Sequence, residues 1–244
     1  MKKVLILGAS SGIAFELIRI FANLDYELTL TVKNFDALIE LKYKLTEELA
    51  YTNPDIKVLN VLDYNSVCDF YNAKELHYDV VICCIGYLGD QAEAQTNPLE
   101  ASKIIKINYA NLTYLFEAIA ADFEQRKQGT LIVVSSVAGD RGRQSNYIYG
   151  SAKAGLTAYL SGLRQRLAKV KVNVLTVKPG FVDTKMIAGK KTIKALTAKP
   201  EVVARSIYNA YLNQRNVIYT PFYWRYILLT LKLIPEWIYK KLKV

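Results

Sequence analysis

The stretch VLILGASSGIA, residues 4–14, decides the fold that this sequence can adopt. Residues 4–7 form a short apolar run that predicts a buried strand, and a helical pattern begins at Ile13. Between them, Gly8 and Gly12 let the backbone turn tightly and approach a pyrophosphate at a helix N-terminus. The stretch therefore predicts a strand, a dinucleotide-binding loop and a helix, in a context far more specific than a pair of glycines alone.

Short apolar runs alternate with amphipathic segments along the rest of the chain. Further strands are predicted at residues 28–32, 56–62, 79–85, 130–135, 170–177 and 216–219, and helices at 13–24, 35–49, 66–74, 98–123, 147–168 and 200–212. Strands separated by helices give βαβ units, and apolar strands without polar alternation fit a sheet covered on both faces. We predict an α/β fold of the Rossmann type, with a doubly wound, mostly parallel seven-stranded sheet. Residues 1–221 would form one domain, and residues 222–244 an amphipathic helical tail.

The composition excludes several function classes. His77 is the only histidine, which excludes a multi-histidine metal site and makes another residue the general base. Cys68, Cys83 and Cys84 are odd in number and lack CxxC spacing, so we predict reduced, packed thiols and no metal. The first apolar run ends at Gly8, too early for a signal peptide, and no run is long enough to span a membrane. We therefore expect a cytoplasmic protein.

Tyr149 and Lys153 are four residues apart in a predicted helix, which makes them neighbours on one face. A free phenol has a pKa of about 10, and a neighbouring ammonium favours the phenolate and lowers that pKa. The pair can therefore donate a proton to a carbonyl oxygen or accept one from an alcohol. Tyr239 and Lys243 have the same spacing near the C-terminus, but no partner loop accompanies them.

Three further segments lie where the tyrosine–lysine pair needs partners. Ser136 follows a predicted strand and precedes Tyr149 by thirteen residues. The segment PGFVDT, residues 179–184, follows another predicted strand. Ligands of parallel sheets bind at the carboxyl ends of the strands, so both segments should border one crevice. Asn108 lies in a long predicted helix between two strands.

Together these motifs resemble the short-chain dehydrogenase/reductase family (SDR) over nearly the whole chain, in the family's order and spacing. The resemblance implies an NAD(P)H-dependent oxidoreductase that interconverts a carbonyl and a secondary alcohol by hydride transfer. It implies Tyr149 as the acid/base and Ser136 as the residue that holds the substrate oxygen. It implies that Lys153 binds the nicotinamide ribose and tunes the tyrosine, and that Asn108 anchors a water of the proton relay.

The resemblance also gives the cofactor contacts. Asp63 matches the family's adenine-contacting acid, and Thr184 would contact the nicotinamide end. One departure is the sequence CCIG at residues 83–86, where the family usually has Asn-Asn-Ala-Gly. The residues predicted to bind the cofactor are Gly8, Ser10, Ser11, Gly12, Ile13, Lys33, Asp63, Gly86, Tyr149, Lys153, Pro179, Gly180, Val182 and Thr184.

The end of the second predicted strand favours NADP(H) over NAD(H). An acid at this position binds the ribose 2′-hydroxyl of NAD and repels the 2′-phosphate of NADP. Here the residues are VKN, positions 32–34, so Lys33 is present and a carboxylate is absent.

A narrower resemblance concerns the substrate. The segments IGYLGD (85–90), INY (107–109), SSVAGDR (135–141) and WRY (224–226) are similar to the keto-sugar reductases of decaprenylphosphoryl-arabinose synthesis, the 2-keto-pentofuranose 2-reductases. This resemblance implies a keto-sugar on a polyprenyl phosphate, used in cell-envelope polysaccharide synthesis.

Basic residues fit such an anionic substrate. The net charge is +10, and five lysines without an acid follow the Pro-Gly segment, where a lid would lie. Arg141 and Arg143 could add to the same field; for both groups a solvated surface is the alternative. The five lysines are Lys185, Lys190, Lys191, Lys194 and Lys199.

The C-terminal tail, residues 222–244, combines a narrow polar stripe with aromatic and aliphatic residues, and Pro235 should kink or divide its helix. This pattern predicts a helix in an anionic membrane interface at the inner face of the membrane; packing in an oligomer interface is the alternative. The polar stripe comprises Arg225, Lys232, Glu236, Lys240 and Lys243.

Other functions remain open at this stage. A reductase of another lipid-like or acyl ketone would use the same four catalytic residues. A nucleotide-sensing protein that keeps the fold without turnover is a second alternative, although intact Asn108, Ser136, Tyr149 and Lys153 weigh against it. No groove-reading motif supports nucleic-acid binding. The family resemblance implies a homodimer or homotetramer through the helices that contain Asn108 and Tyr149.

Overall fold

Parallel strands form the centre of the molecule in the computed structural model, which describes residues 1–24, 26–51, 54–72, 77–189 and 193–242. Within these ranges, seven strands form one sheet in the order β3-β2-β1-β4-β5-β6-β9, with every pairing parallel. The predicted doubly wound fold is confirmed. The strands of this sheet are β1 Lys2–Leu7, β2 Tyr26–Val32, β3 Asp55–Val58, β4 Val80–Cys83, β5 Thr130–Val134, β6 Asn173–Pro179 and β9 Val217–Thr220.

Helices cover both faces of the sheet, which explains the continuous apolar strands. One core joins the sheet to the apolar sides of α1, α2 and α8, and a second core joins its other face to α3, α6 and α7. The helices are α1 Gly12–Ala22, α2 Phe35–Leu49, α3 Tyr64–Asn72, α4 Gln91–Thr96, α5 Pro98–Ile105, α6 Asn111–Arg126, α7 Tyr147–Ala168 and α8 Pro200–Leu212.

The helical segment predicted over residues 98–123 is present, but it is not α-helical throughout. A π-helical turn, Lys106–Ala110, separates α5 from α6, and Asn108 lies inside it. The Asn108 amide donates to the Ile104 carbonyl at 2.8 Å and to the Tyr87 carbonyl at 2.6 Å. A side chain that competes for backbone groups in this way widens the helix locally, and such turns are frequent at functional sites.

The strand predicted over residues 56–62 is also shorter than expected. It ends at Val58, because the Asp63 N–H donates to the Asn60 carbonyl at 3.0 Å and closes a turn. A second, two-stranded sheet was not predicted. It pairs β7 Phe181–Val182 with β8 Thr197–Ala198 and closes the base of the lysine-rich segment.

The C-terminal tail packs on its own domain, an arrangement that neither interpretation of its sequence included. Its helices are α9 Trp224–Leu233 and α10 Glu236–Tyr239, separated at Pro235 as expected. Trp224 and Leu228 are buried against Val137 and its neighbours. This side of α9 is therefore buried within the chain and is not available to a membrane or to a second subunit.

Candidate active site

The glycine loop requires glycine at its first position. Gly8 has φ +79°, and a Cβ there would lie 2.9 Å from the Ile85 nitrogen, so a larger residue would be both strained and crowded. The N–H of Ala9 donates to the Thr31 carbonyl at 2.8 Å, which holds the loop at the carboxyl end of β2. The loop thus turns at the edge of the sheet where ligands bind.

The loop leads directly into the N-terminus of α1. The Ser11 hydroxyl accepts the Ala14 N–H at 3.1 Å and caps the helix. The N-terminal N–H groups and the helix dipole favour anions, so this end of α1 fits a pyrophosphate. A Cβ at Gly12 would lie 3.1 Å from Thr184 Cγ2, so the structure brings Thr184 to the glycine loop as predicted. Ser10 is exposed on the same loop, and Ile13 is buried in the first turn of α1.

Gly86 borders the crevice and leaves space there, because it has no side chain. A Cβ there would lie 3.4 Å from Asn108 Oδ1 and 3.6 Å from Lys153 Nζ. The backbone of Gly86 is therefore next to a buried ammonium and an amide, an environment that fits the hydroxyls of a ribose. Pro179 ends β6, and Val182 is buried in β7 at the same edge of the sheet.

Tyr149 lies in the first turn of α7, close enough to Ser136 for the serine hydroxyl to affect the pKa of the phenol. The Ser136 hydroxyl also accepts the Ala138 N–H at 3.1 Å, which begins the 3-10 turn Val137–Gly139. Burial raises the pKa of Tyr149 to about 12, and the Ser136 hydroxyl acts in the opposite direction. Tyr149 is therefore a phenol near neutral pH, the form that donates a proton to a carbonyl oxygen.

Tyr149 and Lys153 both lie in α7, and the effect of Lys153 on the pKa of Tyr149 stays a prediction. The Lys153 ammonium lies 5.8 Å from the tyrosine ring centroid and donates to the Val134 carbonyl at 3.2 Å. Burial lowers the pKa of Lys153 itself to about 8. Its position beside Gly86 supports the predicted contact with a ribose better than a direct effect on the phenol.

The side chain of Asn108 is occupied by backbone groups. In addition to its two donated hydrogen bonds, its Oδ1 accepts the Tyr87 N–H at 3.1 Å. Asn108 thus fixes the loop that follows β4. Its role in a water relay stays a prediction.

The adenosine end of the crevice contains Lys33 and Asp63. Lys33 is exposed directly after β2, beside Asn34, whose side chain caps α2 by accepting the Ala37 N–H at 3.0 Å. Asp63 is exposed after β3 and accepts the Asn65 N–H at 3.0 Å. Both side chains lie at strand ends where an adenosine would bind.

The cysteines are packing residues in this region. Cys83 and Cys84 are buried, and burial raises the pKa of both thiols, that of Cys83 to about 11. Among the residues with described positions, no group of three or more His, Cys, Asp or Glu side chains could hold a metal ion. The helices described here include none that is long and apolar enough to cross a membrane.

The lysine-rich segment is only partly described. Lys190 and Lys191 lie outside the described residues, as does Lys243 of the tail. Lys185 pairs with Glu40 at 2.7 Å in an exposed position, and Lys194 begins a 3-10 turn, Lys194–Leu196. Lys199 precedes α8.

Asp140, which the sequence did not single out, connects the Ser136 segment to the C-terminal half. Lys178 donates to Asp140 Oδ1 and the Tyr219 hydroxyl to Oδ2, each at 2.6 Å. Both charged side chains are buried, with 2% of Asp140 and 8% of Lys178 exposed. Lys232 of α9 lies 3.5 Å from the same carboxylate. No local pattern could identify this cluster, because its members are distant in sequence.

Arg141 attaches the tail to the same segment. Its guanidinium donates to the Leu231 carbonyl, to the Ile234 carbonyl at 2.8 Å and to Glu236 at 3.0 Å. It also lies 3.6 Å from the centroid of the Tyr239 ring. Arg141 is thus a structural residue, which corrects the expectation that it contributes to a substrate-binding field.

Known proteins share this arrangement. A family model described as short chain dehydrogenase matches residues 2–194. An uncharacterized oxidoreductase of Mycobacterium tuberculosis is 32% identical over 241 residues, which cover 98% of this chain and 96% of the relative. The 3-oxoacyl-(acyl-carrier-protein) reductase FabG of Rickettsia prowazekii is 28% identical over 229 residues, which cover 89% of this chain and 91% of that protein.

Among solved structures, a short-chain dehydrogenase from Sphingobium yanoikuyae in complex with NADPH is similar, with a TM-score of 0.82 and 20% identity over 97% of each chain. This similarity concerns the fold. The family match and the relatives concern the sequence. The chain therefore belongs to the short-chain dehydrogenase family, and it is an NAD(P)-dependent oxidoreductase of that family.

Proposed function

We propose that this protein is an NADP(H)-dependent reductase of a keto-sugar carried on a polyprenyl phosphate, active at the cytoplasmic surface of a membrane. The observation that carries this proposal is the position of the tail. Trp224 packs closely on Gly180, because a Cβ built at Gly180 would overlap the indole ring. Trp224 also contacts the core around Val137. An amphipathic tail is thus joined to both loops that border the catalytic crevice.

The reaction follows from the residues in the crevice. A nicotinamide bound in this crevice would supply the hydride that reduces the carbonyl carbon. Ser136 holds the carbonyl oxygen, and Tyr149, a phenol at neutral pH, donates a proton to it. Lys153, with Gly86 beside it, binds the nicotinamide ribose. The proximity of Tyr149 to Ser136 and of Lys153 to Gly86 supports a catalytic role over a non-catalytic one.

NADP(H) is the proposed cofactor. Lys33 is exposed at the end of β2, next to the N-terminus of α2, and no carboxylate takes the position that would repel a 2′-phosphate. The similar structure from Sphingobium yanoikuyae is in complex with NADPH, which supports the same assignment.

The outward side of the tail supports a membrane partner. Phe222, Tyr226, Leu229, Leu233 and Trp237 are exposed, each by more than half of its surface. Basic residues flank this apolar strip, and aromatic rings beside basic residues are typical of helices that lie in an anionic membrane interface. These basic residues are Arg225, Lys232, Lys240 and Lys241.

A second candidate is the reduction of an acyl ketone. The 28% identity with a 3-oxoacyl-(acyl-carrier-protein) reductase favours it. Both functions use the same catalytic residues, so only the substrate separates them. We also propose a homodimer or homotetramer; exposed Leu99, Ile105 and Tyr114 on α5 and α6 support it, and size-exclusion chromatography with light scattering tests it.

The function is tested by NADPH oxidation with a panel of carbonyls that includes polyprenyl-phosphoryl keto-sugars and 3-oxoacyl thioesters. Tyr149→Phe should lower kcat by about 10²–10⁴-fold, because it removes the proton donor, while NADPH still binds. Tyr43→Phe, at an exposed tyrosine of α2, is the matched control and should keep wild-type kcat. Turnover of 3-oxoacyl thioesters alone would favour the second candidate, and a fully active Tyr149→Phe would refute the mechanism.

Membrane binding is tested by sedimentation with vesicles of anionic or neutral lipid. Leu229→Glu with Leu233→Glu should abolish binding to anionic vesicles, because two charges would enter the apolar strip. Leu212→Glu, on an exposed leucine of α8, is the control. A wild-type protein that ignores anionic vesicles at low salt would refute the membrane partner.

A further inference from the structure

Two arginines of one short segment differ in how far their hydrogen-bond donors are used. Arg141 donates to two carbonyls of the tail and to Glu236. Arg143, two residues later, is partly buried, and its Nε and Nη2 atoms are inaccessible to solvent and have no hydrogen-bond partner among the described residues. A buried donor without a partner is rare in native proteins, most of all when it carries charge.

The charges around Arg143 do not compensate it fully. Asp140 is nearby, but its oxygens already accept from Lys178 and Tyr219. Burial lowers the pKa of Arg143, an effect that Tyr239 and Asp140 oppose only in part. The guanidinium can therefore bind a further negatively charged group.

The two unpaired nitrogens define the kind of ligand. Nε and Nη2 lie on the same edge of the planar guanidinium, with their N–H bonds roughly parallel. This fork matches two oxygens of one phosphate, which is why arginine is preferred for bidentate binding of oxyanions.

Other unpaired groups lie along the same segment. The Asn146 Oδ1 and the Gln91 Nε2 are buried without hydrogen-bond partners among the described residues. Gln91 is held near α7, because its Oε1 accepts the Ile148 N–H at 3.0 Å. A cavity of about 300 Å³ is lined in part by Gln91 and by Gln144 and Ser145, the two residues that precede Asn146. An amide donor and an amide acceptor beside such a cavity fit the hydroxyls of a sugar.

We infer that Arg143 binds the phosphate of the substrate, and that Asn146 and Gln91 bind hydroxyls of the sugar attached to it. Arg143 lies between Ser136 and Tyr149 in the sequence, on the segment that joins the two catalytic residues. This inference rests on the proposed function, and it names the group that selects a phosphorylated substrate.

Helix α10 acts as the cover of this site. The Tyr239 hydroxyl donates to the Gly142 carbonyl at 2.8 Å, and Glu236, whose side chain is 79% exposed, pairs with Arg141. A phosphate reaches the buried fork only when these contacts open. The opposite side of α10 exposes Trp237, so membrane contact favours the same movement.

The test measures binding of farnesyl phosphate to the enzyme–NADPH complex by titration calorimetry. Arg143→Met should weaken binding by about 10- to 100-fold, the equivalent of one or two charge-assisted hydrogen bonds. Arg143→Lys should recover part of this loss, because it restores the charge without the fork. Arg215→Met is the matched control, since Arg215 is exposed before β9 at the opposite edge of the sheet. Thermal melts and NADPH binding check that each variant is folded.

Tyr239→Phe tests the cover. Loss of its hydrogen bond to Gly142 should tighten farnesyl phosphate binding by about threefold, because the open state becomes easier to reach. An unchanged Kd would refute α10 as the cover.

The remaining outcomes separate this inference from the proposed function. Wild-type affinity in Arg143→Met, or no binding of farnesyl phosphate to the wild type, refutes the phosphate site whatever the enzyme reduces. Inorganic phosphate that binds as tightly as farnesyl phosphate, through Arg143, supports the site but contradicts a lipid-linked substrate. Farnesol that binds equally well refutes recognition of phosphate. Turnover of keto-sugars is measured independently and decides the proposed function alone.

Discussion

The cofactor side and the substrate side of this protein are built in different ways. On the cofactor side, the loop from Gly8 to Gly12 lies between β1 and α1, and its geometry depends on backbone shape and on residues close in sequence. On the substrate side, the segment after Ser136 is held by Asp140 and Arg141, whose partners lie 38 to 95 residues away. The first side is a local motif, and the second is a network of side chains.

This difference indicates which substitutions should disrupt each side. A local loop depends on the conformations that its own residues allow, so a single added methyl group can disrupt it. A network of buried charges depends on every partner, because each one that is removed leaves another charge uncompensated. The predictions below test this contrast.

Lys178→Met should have the largest effect on stability. The substitution leaves the Asp140 carboxylate buried without its ion-pair partner, and we expect the free energy of unfolding to fall by about 3 kcal/mol. This value is at the lower end of the range for broken buried ion pairs, because Tyr219 and Lys232 still face the carboxylate. Urea unfolding measures this value. Lys3→Met, which breaks an exposed pair with Glu27, is the control and should cost less than about 1 kcal/mol. Equal losses in the two variants would contradict the contrast.

Gly8→Ala should have the next largest effect on stability, and it tests the cofactor side. We expect a loss of about 1–3 kcal/mol, because alanine is strained at φ +79° and its Cβ would crowd Ile85. NADPH binding should weaken with it. Gly162→Ala, in α7 where a Cβ meets nothing within 4 Å, should instead raise stability by about 1 kcal/mol. Thermal unfolding and NADPH titration measure both variants, and a neutral Gly8→Ala would show that the loop tolerates other shapes.

The same contrast explains what the sequence could predict. The bounds of α2, α7 and α8 match the predicted segments, because apolar periodicity, the Asn34 cap of α2 and the proline that begins α8 are local signals. Ser136, Tyr149 and Lys153 could be found because one strand end and one helix turn place them. The π turn at Asn108 could not, since it depends on the loop after β4, which is distant in sequence.

The C-terminal tail shows most clearly what could not be predicted from the sequence. Its sequence indicates an amphipathic helix, but the sequence pattern does not say which apolar side packs on the domain. That choice depends on the gap above Gly180, which receives Trp224, and on Arg141, which binds the carbonyls at the end of α9. The hydrogen bond from the Lys153 ammonium to the Val134 carbonyl is likewise a contact that helical spacing does not reveal.

Lys33→Asp should have a smaller effect, confined to the choice of cofactor. A carboxylate at this position would repel the 2′-phosphate, so the Kd for NADPH should rise about tenfold while that for NADH changes little. Fluorescence titration measures both constants. Lys42→Asp, which makes the same change of charge on an exposed position of α2, should leave them unaltered. If both variants lose NADPH affinity equally, the overall positive charge of this region, and not a local contact of Lys33, determines the preference for NADPH.

The pH dependence should give the smallest effect, and it tests whether Lys153 acts on the cofactor. Burial lowers the pKa of Lys153 to about 8, so its ammonium is present below that pH and is lost above it. Because kcat/KM for NADPH reports the free enzyme, it should fall about twofold between pH 7 and pH 8. Tyr149, with its pKa raised to about 12, keeps its proton over this range. If Lys153→Met retained the same descending limb, the limb would belong to another group, and the cofactor side would not depend on this buried charge.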